Sequence, residues 1–185
     1  NINEKFYIDI KNEYKDANVI KTYGGEAVIT MTDIAKGVLI RGIDKSQIDQ
    51  INLFKNNIID GEISNFKNGS IIIGKQLAIE LGVVVDDKIS IMSSSSATTI
   101  FGIVPKQSTY KIISVFSSGL YEYDRNVIFF TIEDSLSFFE KTNDDITLEL
   151  YLKNPLNADN YKLAIQNKNS DVYVSSWSDL NKSFL

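Results

Sequence analysis

Residues Ser70–Ile91 read SIIIGKQLAIELGVVVDDKISI, and the organisation of the chain follows from them. Ser70–Ile73 is a short β-branched run, the pattern of a buried strand. Gly74–Leu81 (GKQLAIEL) has the spacing of a short helix, and Gly82 stops it because glycine takes the left-handed cap conformation freely. Lys88–Met92 (KISIM) alternates as a strand does. A second strand, Tyr110–Phe116 (YKIISVF), lies beyond it. The connection between them, Ser93–Gln107, is longer than ordinary hairpin loops and is expected to protrude as a mobile hairpin with an exposed apolar tip. It carries Ile100, Phe101, Ile103 and Val104 around Gly102 and just before Pro105. An apolar loop tip is costly in water, so it is expected to touch a partner or to fold back on its own core.

Outward from this region the signals alternate between helix and strand. Ile2, Phe6, Ile10 and Tyr14 recur at helical spacing. Val19–Ile20 and Ala27–Met31 read as two strands separated by a Gly24–Gly25 turn, and Gly37–Asp44 (GVLIRGID) as a buried strand running into a turn. Lys45–Phe66 is irregular, with one short helix. Asn126–Phe130 is a strand, and Thr131 caps a helix in which Leu136, Phe138 and Phe139 are apolar. Ile146–Leu152 alternates as a strand. Asn157–Asn167 reads as a helix with Ala158, Tyr161, Ala164 and Ile165 inward, and Asp171–Val174 as a last strand. The fold expected is α+β: residues 1–35 and 142–185 form one subdomain of βαβ type, and residues 36–141 form a β-rich insert.

Composition removes several kinds of chemistry. The 185 residues are 43% hydrophobic and 23% charged, which suits a globular chain with a real core. There is no cysteine and no histidine, so thiol nucleophiles, histidine-assisted triads and the usual zinc sites are excluded. The net charge is −5 with scattered basic residues, so no nucleic acid is expected as a partner. The 24 acidic residues permit many carboxylate pairs, but no spacing singles one out for hydrolysis. Tyr121–Arg125 reads as a solvated loop, Asn143–Asp145 as a turn without the spacing of a calcium loop, and Ser93–Ser96 as a loop stem. Asn68-Gly69-Ser70 fits a glycosylation sequon and is first of all a turn. No catalytic residue, metal or cofactor is assigned. The chain opens on Asn1 and closes after an amphipathic WSDLNKSF, so it reads as a piece of a longer protein.

This order of segments resembles the periplasmic domains of MacB-type ABC permeases. Ser70–Ile91 is similar to that family's strand, Gly, Leu-Ala, Leu-Gly, strand pattern. Gly37–Asp44 and Val127–Leu136 (VIFFTIEDSL) resemble its neighbouring motifs. Thr99–Gln107 (TIFGIVPKQ) resembles the Gly-x-x-Pro loop of the LolC-type, lipoprotein-releasing members of Gram-negative bacteria.

The resemblance implies a non-enzymatic periplasmic domain of an inner-membrane permease. It divides into a "Porter" subdomain from both chain ends and an inserted "Sabre" subdomain. Its "Hook" would be Thr99, Ile100, Phe101, Gly102, Ile103, Val104, Pro105, Lys106 and Gln107, docking the periplasmic lipoprotein carrier LolA. A pad beside the Hook carries arginines in the family; here the matching positions are Ser90 and Ser108, with Lys106 or Lys111 as alternative sources of positive charge. Two further departures are Ile100 where the family has proline and Asp86 where it has glycine. The other implied partners are a second permease subunit (LolE-like or a copy of the same chain), a LolD-like ATPase reached through the membrane part, and the lipoprotein substrate. An efflux or peptide-export permease domain, meeting a periplasmic adaptor, is the alternative.

Overall fold

A computed structural model describes residues 4–31, 33–99, 102–176 and 179, with the backbone alone described at 94–99 and 102–105. The elements are α1 (Glu4–Glu13), β1 (Ala17–Met31), β2 (Ile34–Ile43), a 3-10 segment (Lys45–Gln50), α2 (Asn52–Asn56), β3 (Ile58–Gly61), β4 (Ser70–Gly74) and α3 (Lys75–Leu81). There follow β5 (Lys88–Thr99), β6 (Gly102–Phe116), α4 (Tyr121–Asn126), β7 (Val127–Thr131), α5 (Ile132–Phe138), β8 (Thr147–Leu152) and α6 (Ala158–Lys168). The fold is α+β, as the sequence pattern requires.

The chain divides into two units: Asn1–Ile20 with Asn143–Leu185, and Lys21–Thr142. The first boundary falls earlier than the expected 35/36. The reason is that β1 beyond Ile20 bonds to β2 and β5, both in the second unit.

The second unit is a closed ring of six strands. β1 pairs antiparallel with β2, β2 parallel with β7, β7 antiparallel with β4, and β4 parallel with β6. β6 then pairs antiparallel with β5, and β5 antiparallel with β1. Closure leaves these strands few edges open to stray pairing. Alternate side chains from all six strands meet in one cluster, among them Ile29, Ile40, Ile73, Ile91, Ile112 and Phe130. Leu77 and Leu81 of α3 and Phe138 of α5 complete that cluster. The opposite faces of β2, β4, β6 and β7 carry Ile43, Ile72, Phe116 and Phe129. Ile48, Phe54 and Phe66 cover them, so the irregular stretch 45–66 is an apolar cover. Each such side chain contributes about 1.5–3 kcal/mol on burial.

The local signals read from sequence explain the element ends. Gly82 takes φ 66° and its N–H reaches the carbonyls of Ala78 and Ile79. The Thr131 hydroxyl accepts from the Asp134 N–H at 3.2 Å.

Four local expectations are corrected. Gly24 and Gly25 lie inside one long strand and form no turn. A Cβ at Gly24 would sit 2.3 Å from the Ile40 carbonyl oxygen, and one at Gly25 would sit 2.9 Å from the Phe139 ring. Close approach, not turning, is what these glycines supply. Tyr121–Asn126 is a helix where a solvated loop was expected. Asp124 is buried there and accepts from the Ser118 N–H at 2.8 Å and the Ser117 hydroxyl at 3.2 Å. In the first unit Ile10, Val19 and Ile165 form the core with Phe6, Tyr14, Leu148 and Leu150, while Ala164 is exposed. Asp171–Val174 is no strand. The Gln166 side chain takes its polar groups instead, donating to the Val172 carbonyl at 2.8 Å and accepting from the Val174 N–H at 3.1 Å.

Candidate functional site

The hairpin expected at Ser93–Gln107 is present: β5 runs to Thr99 and β6 starts at Gly102, so that the two form one long antiparallel ladder. Thr98 pairs with Ile103 and Thr99 with Gly102; Ile100 and Phe101 lie outside the described residues. Val104 pairs with Ala97 and Pro105 with Ser96, so the proline does not end the ladder. Between Met92↔Gln107 and Ser96↔Pro105 the chain takes four steps along β5 and two along β6. The serine run therefore sits at a bulge, the usual device by which a hairpin twists or changes direction.

The hairpin extends past its supports. Pairing of β5 with β1 reaches Ser93, and pairing of β6 with β4 begins at Lys111. In the pairing described, residues 96–99 and 102–105 bond only to each other.

At the base of the hairpin the two sides differ. Ile89, Ile91, Tyr110 and Ile112 face the core. The opposite side carries Lys88, Ser90 and Met92 beside Lys111, Thr109 and Gln107, paired in that order. The Ser90 and Thr109 hydroxyls are 3.2 Å apart. Asp86 reaches Lys111 at 2.6 Å.

This geometry separates residues that the sequence grouped as a pad. Ser90 and Lys111 share the outer side. Ser108 pairs with Ile91 and shares the side of Tyr110. The Tyr110 hydroxyl is pushed up to about 12, first by burial and then by the nearby Asp134 charge, against a hydrogen bond with Ser108. Lys106 is also turned away: its Nζ donates to the Ser137 carbonyl at 2.8 Å and lies 3.8 Å from Glu140. Gln107 is exposed on the outer side. Lys88 and Thr109 complete that side and went unnoticed in the sequence. The period-two alternation through Ser90 was the signal that could have located Lys88.

No family model matches the chain. Three curated relatives at 24–37% identity are LolC proteins, lipoprotein-releasing system transmembrane proteins. That of Buchnera aphidicola is 37% identical over 70% of this chain and 32% of its own length. That of Neisseria meningitidis is 24% identical over 86% of this chain and 39% of its own. That of Xylella fastidiosa is 32% identical over 52% of this chain and 24% of its own. The chain thus spans well under half the length of these relatives. Two solved structures share its fold. The periplasmic region of MacB from Actinobacillus actinomycetemcomitans gives a TM-score of 0.58 at 7% identity, covering 100% of this chain and 83% of that one. The extracellular domain of the ABC-type transporter YknZ of Gram-positive bacteria gives 0.55 at 14% identity, covering 91% and 84%.

Fold and relatives together define a periplasmic domain of an ABC permease of the MacB-like kind. Within that class the chain is similar to the LolC proteins, the name its sequence relatives carry.

Proposed function

We propose that this domain serves an inner-membrane permease that releases lipoproteins, and that it docks a soluble periplasmic carrier of the LolA kind on the hairpin Thr99–Gln107. The observation that supports this reading is the β5–β6 ladder, which continues to Thr99↔Gly102 beyond the strands that support it. Backbone pairing holds Gly102, Ile103 and Val104 at the end of that ladder. An apolar tip would lose solvent in the concave surface of a lipid carrier, at about 1.5–3 kcal/mol per side chain buried. The domain itself is non-catalytic in this reading, and it works in the periplasm. ATP is hydrolysed by a LolD-like subunit, and the permease pairs with a LolE-like chain or a copy of itself.

Calorimetry with the organism's own LolA-like carrier tests the proposal. Phe101→Asp forces a charge into an apolar receptor, so binding should weaken at least about tenfold, while thermal melts stay near wild type. Undiminished binding by Phe101→Asp removes the docking role. A wild-type domain that ignores the carrier and binds a periplasmic adaptor would instead support the efflux alternative.

A further inference from the structure

The turn that enters β4 contains Asn68-Gly69, and α5 with its capping Thr131 holds both residues. The Gly69 N–H donates to Asp134 Oδ2 at 2.6 Å, and the Thr131 hydroxyl donates to Asn68 Oδ1 at 2.8 Å. The Gly69 carbonyl accepts from the Lys111 N–H at 2.9 Å, and the Ser70 N–H donates to the Lys67 carbonyl at 2.9 Å. Gly69 takes φ 84°, a conformation that glycine enters without strain.

This dipeptide has a reaction of its own. A base removes the Gly69 amide proton, and the nitrogen attacks Cγ of Asn68. The side-chain nitrogen leaves as ammonia, giving a cyclic succinimide. Water then opens either carbonyl, leaving aspartate or isoaspartate. The net change consumes one water and releases one ammonia, with no oxidation or reduction. A following glycine has no Cβ to obstruct ring closure, so in a flexible chain nothing hinders the step.

In the folded protein the formation of the nucleophile and the geometry of its attack are both opposed. The attacking nitrogen must give up a hydrogen bond to a carboxylate, and its anion would form against that negative charge. The Thr131 hydroxyl polarises the carbonyl to be attacked but also fixes its position, and the backbone of Gly69 is held from both sides, so the chain cannot readily turn the amide onto the nitrogen. We propose that Asn68 is a site of spontaneous deamidation whose reactivity Asp134 suppresses as long as α5 stays docked on the 67–70 turn. Opening of this contact exposes the site. The product puts a carboxylate where Thr131 holds the amide oxygen, or inserts an extra backbone carbon as isoaspartate, and the loss of ammonia makes the change one-way.

The test incubates the native chain, the same chain unfolded in guanidinium chloride, and the folded variants Asp134→Ala and Asp134→Asn. The tryptic peptide Asn68–Lys75 reports the mass gain of amide to acid, and enzymatic methylation reports isoaspartate. Asp134→Ala should react at least about tenfold faster than the native chain, the factor set by about 1.4 kcal/mol and the low end of a hydrogen bond to a charged group. Asp134→Asn keeps an acceptor without the charge and should fall between; it carries the test if the alanine variant melts abnormally. Once unfolded, wild type and variants should react alike. A folded variant reacting at the native rate, or a native chain reacting as fast as the unfolded one, overturns the proposal.

Discussion

Lys106 Nζ lies 2.8 Å from the carbonyl oxygen of Ser137, so a residue of the hairpin stem is tied to the last turn of α5. A cation at a helix C-terminus also meets the partial negative charge of the unpaired carbonyls there. The residue that the sequence offered to a partner is in this way an internal strut. Lys106→Ala should cost about 0.5–1.5 kcal/mol, since the Ser137 carbonyl can turn to water. Amide hydrogen exchange over 102–110 should quicken, and Lys106→Glu, facing Glu140, should quicken it further. Unchanged exchange in both variants would show that the strut carries no stability.

Two glycines make a sharper comparison. A Cβ on Gly74 would lie 2.0 Å from the backbone oxygen of Asp124, whereas one on Gly37 would meet nothing within 4 Å. Gly74→Ala must therefore push β4 away from α4 and should cost about 3 kcal/mol or more. Gly37→Ala limits the unfolded chain in a strand position and should stabilise by about 0.5–1 kcal/mol. Urea unfolding of the two variants measures both, and equal midpoints would contradict the packing described.

The parts of the fold legible in the sequence were those whose cause is local. Gly82 ends α3 and Thr131 caps α5 because neighbouring backbone groups alone decide both. What remained hidden depended on distant partners. Gly24–Gly25 reads as a turn until Ile40 and Phe139 are known to press on it. Tyr121–Asn126 reads as solvated because the serines that satisfy Asp124 lie on the preceding connection and nothing in the spacing announces them. The hairpin was recognisable as a protruding stretch, but its serine run gave no sign of the bulge, and only strand register shows that Ser90 and Ser108 face opposite ways.

The buried phenol of Tyr110 gives the domain an alkaline signature. Its rings contact is close, with the Phe130 centroid at 4.3 Å, and its acidity is weakened from 10.0 to about 12. The folded value lies above the unfolded one. The stability this contributes is complete below about pH 10 and is lost as pH rises toward 12. Urea midpoints should fall across that interval, and Tyr110→Phe should flatten the fall. An equally steep decline in Tyr110→Phe would assign the effect to other tyrosines.

The two sides of the hairpin base should respond differently to one substitution. Ser90 faces outward beside Thr109, Lys88 and Lys111, while Ser108 lies on the side of Tyr110. Ser90→Glu adds a carboxylate to a side bearing two lysines. It should leave the thermal melt within a degree or two of wild type, as surface changes usually do. If the carrier docks along this side, Ser90→Glu should change its association rate and the salt dependence of that rate, because exposed charges steer encounter more than they hold the complex. Ser108→Glu places the new charge next to the buried Tyr110 hydroxyl, beside the Asp134 carboxylate that already disfavours ionisation there. It should lower the melting temperature by several degrees, for about 1–3 kcal/mol. Stopped-flow association with the carrier, run beside thermal melts, separates the cases. A Ser108→Glu domain that melts like wild type would mean that Ser108 faces solvent. A Ser90→Glu domain with unaltered association at low salt would remove this outer side from the docking surface and leave the tip alone.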